Sequence, residues 1–542
     1  MKKYFVIYLL FVIFCIRSNS QSVLLIKDNL SGKDDGIPTL NPVDELMIAY
    51  KSKIFFSGTN RFADISSEGD YEPWMYDPIS NKMSLLKELI PIKGSFPNKF
   101  IVSGNKLFFG ASDENIITDL LYSSDGTRIG TFNVGDTTNK LTGMLRLFSR
   151  NTIIPLRNGV LFNAYVGISD FGLWYSDGTT TGTYKINSNG FADQFVYHPK
   201  YDKVIFTQDA QIKISDGSIA GTTALNDLIV IVAPSTASIG MGSFGDNFLI
   251  EAFDPNAGTF GLFLTNGISS TYTKLYDYGN LPSMVRNVID LGNNHCLFSN
   301  NKGLWVTDGT KNGTLRIPKI TPYRFNNVYT DFWTTYKGKM YFAAKDSTDK
   351  GVELYESDGS VAGTKLFMDI NLGSGDSYPA NFKVFNQILY FSANNGISGN
   401  EFWQTDGTQL GTKLIADINV GVGSSDPQYF TGLNNELYFS ATDGLTGHEL
   451  WKYSDAKVAV SNLKNKIDLN LFPTITSGKI NLESTDLNSI TSICISDLNG
   501  KVWSKLEKIK NEFNLDLPNG IYFIAFYNGN SMIHSQKIIL KR

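Results

Sequence analysis

The sequence predicts an all-β protein: a β-propeller of about nine, alternatively eight, four-stranded blades closed by its own termini, followed by a small C-terminal β-sandwich. Three observations lead there. A unit of about 47 residues recurs up to residue 454, each copy reads as short apolar strands parted by turns rich in Gly, Asn and Asp, and the pattern changes after Asp455. Composition agrees. The 542 residues exceed a typical domain of roughly 150 several-fold. With 49 Gly, 26 Tyr, 37 Phe and 18% charged residues, the chain suits turn-rich strands. Lys and Arg number 48 against 52 Asp and Glu, so the net charge of -4 offers no basic field for nucleic acid.

In chain order, Lys2 and Lys3 precede an apolar run from Tyr4 to Ile16, followed by Arg17 and Ser18-Asn19-Ser20. Charge, apolar stretch and small residues in that order predict a secretory signal peptide over residues 1–20. The run is shorter than the roughly 20 residues that cross a bilayer as a helix, and no membrane-spanning segment is expected in the mature chain. Cleavage after Ser20 removes Cys15 and leaves Cys296 and Cys494, far apart in sequence, so no disulfide is expected. The four histidines, His198, His295, His448 and His534, have no metal-ligand spacing. The neighbours His295 and Cys296 would point to opposite faces of a strand. No metal, cofactor or catalytic residue is expected.

Residues 21–456 hold the repeats. Each copy has an apolar strand, then Ser/Thr-Asp-Gly-Ser/Thr, two free positions, Gly-Thr and a return strand. The anchor falls at Asp77, Asp125, Asp177, Asp216, Asn266, Asp308, Asp358, Asp406 and Ser454. Asp-Gly between apolar strands is a hairpin signal: the Asp carboxylate accepts N–H groups ahead of it and the first Gly supplies a positive φ. The second Gly is expected to permit another left-handed residue. Calcium is the alternative use of these carboxylates, but each site offers one and the last anchor is Ser. Trp74, Trp174, Trp305, Trp403 and Trp451 all stand three residues before the anchor, which predicts packing between neighbouring units. In the last complete unit, strands are expected at 412–417, 428–432, 436–441 and 448–453. Leu25-Ile26-Lys27-Asp28 is similar to Leu414-Ile415-Ala416-Asp417, a return strand without its hairpin partner. Glu449-Leu450-Trp451-Lys452 is an outgoing strand without a return. Pairing these two would close a ring and cover both edges.

These units resemble the ELWxxDGT repeat of secreted bacterial proteins over residues 22–456. Copies around Asp308, Asp358 and Asp406 stand close to its consensus, and those at Asp77 and Asn266 depart from it. The resemblance implies repeat architecture and brings no catalytic residues.

Beyond a linker at 457–462, residues 463–542 form a different module. Its landmarks are Phe472-Pro473-Thr474, Asp497-Leu498-Asn499-Gly500-Lys501, Leu517-Pro518-Asn519-Gly520-Ile521-Tyr522 and the basic end Lys541-Arg542. Alternating strands with Asn-Gly turns predict a small antiparallel sandwich. The order of landmarks resembles the type A C-terminal sorting domain of type IX secretion. That implies the type IX machinery as a partner of residues 463–542, and a secreted or surface-attached product outside the outer membrane. No Gly-x-Ser-x-Gly elbow, phosphate loop or His-Glu-x-x-His segment occurs. The expected function is therefore non-catalytic binding or adhesion, toward a glycan, protein or surface polymer. The alternative is a secreted polysaccharide-active glycosidase or lyase, and a coat or matrix component is a third reading. Loops such as 419–426 and 442–447 are the expected binding face.

Overall fold

The computed structural model describes the chain outside residues 1–21, 31–32, 40–44, 61–69, 92, 114–115, 136–140, 142, 145–152, 167–169, 189, 199, 230–239, 268–270, 324–332, 455–468, 473–474, 485–489, 498–501, 507–511, 529–530 and 542. The expected signal peptide at 1–20 and linker at 457–462 lie outside the described residues, as does most of the Asp497–Lys501 landmark. The chain divides into two compact units, one spanning Leu24–Lys452 and one built on Tyr453–Arg542. Among the described residues there are strands and turns and no helix.

The larger unit is a propeller-like succession of antiparallel sheets. The first has strands Met47–Tyr50, Lys53–Gly58, Glu72–Asp77 and Lys82–Leu85. A later one has Arg286–Asp290, Cys296–Asn300, Gly303–Thr307 and Leu315–Arg316, and another Ala380–Phe385, Ile388–Asn394, Asn400–Thr405 and Lys413–Ala416. Between these two, Trp333–Tyr336, Lys339–Lys345, Glu353–Ser357 and Lys365–Met368 carry Thr321–Pro322 as a fifth strand. The last four-stranded sheet joins Gln428–Leu433, Glu436–Ala441 and Glu449–Ser454 to Ser22–Lys27, the first strand of the chain. In the middle, the repeat units are joined in pairs. Gly143–Met144 lies between Ile116–Ser124 and Gly159–Val166, and Ile229 pairs with Phe253. Residues linking two units here pair as strand, which the turn pattern did not foretell.

Packing explains these strands. The second strand of each unit is apolar on both faces: Ile54-Phe55-Phe56, Leu107-Phe108-Phe109 and Leu437-Tyr438-Phe439 are all fully buried. Continuous burial, in place of in–out alternation, belongs to a strand covered on both sides. The covers are the neighbouring sheets. Leu107 and Phe109 pack on Tyr50 and Phe55, while Phe108 packs with Phe162 and Trp174 of the following unit. Similar cores join Leu161 to Phe206, Ile205 to Phe263, Leu249 to Trp305, Leu304 to Phe342, and Leu354 to Trp403. Phe402 meets Phe430 and Phe439, and Tyr438 and Leu450 pack with Ile54, Phe56 and Trp74. Near-complete burial of about 150–250 Å² per aromatic ring makes each such core the dominant cohesion between adjacent sheets. In five units the first strand bulges at a left-handed residue, namely Lys99, Gln194, Asn287, Asn381 and Tyr429. A bulge adds local twist to the strand.

In the smaller unit, Leu469–Phe472, Lys479–Ser484 and Glu512–Asn514 form one sheet. The second runs Ile475–Thr476, Ser531–Leu540, Gly520–Asn528, Ser492–Asp497 and Val502–Leu506. Ile480 and Leu482 of the first share a core with Ile493, Ile495, Ile524, Phe526 and Ile538 of the second, a sandwich. It is not antiparallel throughout: Ile475–Thr476 runs parallel to Ile539–Leu540, because this short strand covers an edge that no hairpin reaches.

Candidate binding face

The repeated polar residues are consumed by the fold. At Asp406, Oδ1 accepts the Thr408 N–H at 2.9 Å and hydroxyl at 2.6 Å. Thr408 Oγ1 accepts the Gly411 N–H at 2.9 Å, and the Thr412 hydroxyl donates to the Thr408 carbonyl at 2.7 Å. The same pattern recurs from Asp125, Asp177, Asp216, Asp308 and Asp358, each bound by the Thr or Ser two residues on. These bonds hold the Asp125, Asp308, Asp358 and Asp406 carboxyls below their usual range, the Thr or Ser hydroxyl contributing most. Gly407 has φ of 87°, as expected of the first Gly. The expectation for the second Gly is corrected. Gly411 is not left-handed; a Cβ there would lie 2.0 Å from Asp406 Oδ1. Gly130, Gly182, Gly221, Gly313 and Gly363 meet their own Asp in the same way, so this Gly exists to make room for the carboxylate. Among the described residues no group of three or more His, Cys, Asp or Glu is placed to hold a metal ion.

The five tryptophans are buried. Trp74, Trp174, Trp305 and Trp403 each join the core shared with another unit, as their common register predicts.

A second node was missed in the sequence. Glu72, Glu353, Glu401 and Glu449 all stand five residues before the turn residue, and all are buried. Glu401 accepts the N–H groups of Ile418, Asn419 and Ser425 and the Ser425 hydroxyl, the last at 2.6 Å. Glu353 takes Ile370, Asn371 and Ser377 in the same arrangement, and Glu72 takes Leu89, Ile90 and Ser95. Burial pushes Glu72 and Glu353 up to about 7 and Glu449 up to about 8, against the pull of these donors. The connections that the sequence marked as variable binding loops, 419–426 among them, are therefore pinned from inside. At Gly399 a Cβ would strike the Gly423 carbonyl at 2.3 Å, so the 395–399 turn also seats directly on backbone.

The N-terminal segment enters this pattern. Leu30 N–H donates to Glu449 at 3.2 Å, His448 N–H to Asp35 at 2.8 Å, Ile37 N–H to the His448 carbonyl at 2.9 Å, and Thr59 N–H to the Gly36 carbonyl at 2.9 Å. Around Glu401, the counterparts are Asn419 N–H to Glu401, Asn400 N–H to Ser424, Asp426 N–H to the Asn400 carbonyl, and Thr442 N–H to the Ser425 carbonyl.

Among the described residues, this framework leaves open clefts, including a smaller and a larger one. The smaller, of about 190 Å³, is lined by Asn60, Asp70, Glu72, Trp74, Leu85 and Glu88. The larger, about 470 Å³, lies where the sheet of Arg286–Arg316 meets that of Trp333–Met368. Four cations line it, Lys302, Arg316, Lys319 and Lys345, together with Asn301 and Tyr323, and among the described residues no carboxylate does. The Tyr323 ring lies 4.8 Å from that of Tyr378.

Residues 470–541 match the model of the secretion system C-terminal sorting domain. That domain indicates secretion by the type IX system and attachment to the cell surface. No curated protein matches the sequence. Among solved structures, the chain is similar to puromycin hydrolase at 9% identity and a TM-score of 0.39, covering 76% of this chain and 61% of the hydrolase. It is similar to the β-propeller domain of the trilobed protease from Pyrococcus furiosus, with its open velcro topology, at 12% identity and 0.34, covering 68% and 94%. It is also similar to an oligogalacturonate lyase in complex with manganese at 7% and 0.34, covering 65% and 98%. Likenesses of this size transfer no activity. They do correct one expectation: hydrolases and a lyase stand among the similar structures, and the inference that the chain is no enzyme, drawn from missing motifs, is withdrawn, since a fold excludes no chemistry. No helix of the described residues is long and apolar enough to cross a membrane.

Proposed function

We propose that residues 21–456 form a nine-bladed propeller of ELWxxDGT-type units, sealed by the strand at 22–27, and that residues 463–542 deliver it to the cell surface as a rigid platform that binds an extracellular ligand, a surface polymer foremost. The observation that carries the reading is the repeated node. Buried Glu, turn Asp and the paired glycines lock every connection they reach, and the N-terminal segment supplies to Glu449 the donors that residues 418–426 supply to Glu401. The first strands of successive units also lie side by side, with Met47–Tyr50 between Asn98–Ser103 and Gln428–Leu433. A body so fixed keeps its surface preorganised, which lowers the entropy lost on binding. The large cleft adds four cations, Lys302, Arg316, Lys319 and Lys345, to that surface.

The experiment has two arms. Removal of residues 463–542 is expected to leave the protein inside the cell envelope, and its appearance outside would refute the sorting role. The purified, exported protein is expected to retain on at least one immobilised extracellular polymer; retention on none across neutral and charged polysaccharides would refute the platform.

A further inference from the structure

We infer that the cleft lined by Lys302, Arg316, Lys319 and Lys345 is a binding site for the carboxylate or sulfate groups of an acidic polysaccharide; this deepens the platform reading and rests on it. Five positions before the turn residue, four units carry the buried Glu72, Glu353, Glu401 and Glu449, whereas the unit anchored on Asp308 has Gly303. In the units at Asp177 and Asn266, which have Gly172 and Gly261 there, the preceding strand supplies the acceptor instead. Asn163 takes the Ala192 N–H at 2.9 Å, and Glu251 takes those of Met284 and Val285 at 3.2 and 2.6 Å. The unit at Asp308 has neither. Its corresponding residue is Ser299, whose hydroxyl turns to the Arg286 carbonyl.

The cations repeat the contrast. Eight residues past the turn residue, Lys185, Lys274 and Arg316 each cross over the glycine of their unit. Lys185 is paired with Asp170, and Lys274 with Asp277 at 2.6 Å. Arg316, whose Nε and Nη2 lie 3.7 Å from where a Gly303 Cβ would stand, has no acidic partner among the described residues, and neither have Lys302, Lys319 or Lys345. Lys319 stands where the next unit has Asp369. Asp376, near the border of the cleft, is already engaged by the Val352 N–H at 2.6 Å and the Tyr378 hydroxyl at 2.6 Å. The space that a protein carboxylate fills in sibling units is thus open, and it is walled by positive charge inside a chain of net charge -4. Arg and Lys together suit forked and point-charge contacts to carboxylate or sulfate. Several charges in one open cleft suit a polymer with repeated anions over a single small one. The half-buried Tyr323, beside Tyr378, adds a ring face for a sugar.

The full mature chain is measured against immobilised polygalacturonate, dextran sulfate, neutral dextran and poly-glutamate, in low and high salt. Binding to polygalacturonate or dextran sulfate, weakened by salt and absent on dextran, is expected. R316Q/K319Q should weaken it about tenfold or more with an unchanged melting temperature. K302Q/K345Q, with both substitutions on exposed side chains, is the second variant should the first fail to fold. Binding of an acidic polymer that neither variant changes overturns the site while leaving the platform standing. Binding to neutral dextran alone does the same. Preference for poly-glutamate over both polysaccharides overturns the ligand class, and retention on none of the polymers overturns both readings.

Discussion

At the scale of the residue, the Asp-Gly-Thr-x-x-Gly-Thr run is a complete hydrogen-bonding device, and the sequence showed most of it. Asp, Thr and the first Gly were legible because each has one local job with a known geometry. The second Gly was misread, since its reason is the volume of a side chain five residues away, which no single-residue rule reports. The corrected reading predicts coupling. G411A should cost about 1–3 kcal/mol, because a Cβ 2.0 Å from Asp406 Oδ1 drives the carboxylate off the Thr408 donors. In a D406A background the same change should cost a few tenths of a kcal/mol, as expected of directly interacting sites. Denaturant unfolding of the four proteins measures the cycle; equal costs in both backgrounds would reject the explanation. L410A, at a fully exposed position between them, is the inert control.

At the scale of the element, the connections reached by Glu72, Glu353, Glu401 and Glu449 hang on a buried carboxyl. The Glu was visible in the repeat, but its partners lie 17 to 24 residues on, beyond the reach of local pattern, so the loops read as variable and free. E401A leaves three N–H groups and a hydroxyl without their acceptor and should cost about 2–4 kcal/mol; E401Q, which keeps one carbonyl oxygen, should cost less. The same carboxyls set a pH dependence. Glu72 and Glu353 at about 7 and Glu449 at about 8 hold a proton more tightly folded than unfolded. Their contribution is therefore full below the ordinary Glu range and is lost as pH rises through 7 to 8. The lowered turn Asp carboxyls act oppositely, losing their contribution as pH falls through the acid range. Stability should accordingly peak in weak acid and decline toward pH 8. Thermal melts across that range test the slope, E353Q should flatten it, and stability rising steadily to pH 8 would contradict it.

At the scale of the whole molecule, the sequence revealed the succession of strands, the export module and the partnership of the first strand with the last. Repetition and turn chemistry make those features locally explicit. The joined pairs of units in the middle and the basic cleft were not legible. The first arises from pairing across long connections, and the second from an acceptor that several units carry and the unit at Asp308 lacks. Delivery to the surface follows from the sorting domain, and the proposed platform requires that the N-terminal segment complete the body. Amide hydrogen exchange of the intact protein tests that dependence most directly. If the segment carrying Leu30 and Ile37 closes the body, the amides of these two residues, bonded to Glu449 and His448, should exchange as slowly as those of Asn419 and Asp426, which hold the same places around Glu401. Exchange of Leu30 and Ile37 at free-chain rates, with 418–426 still protected, would contradict it.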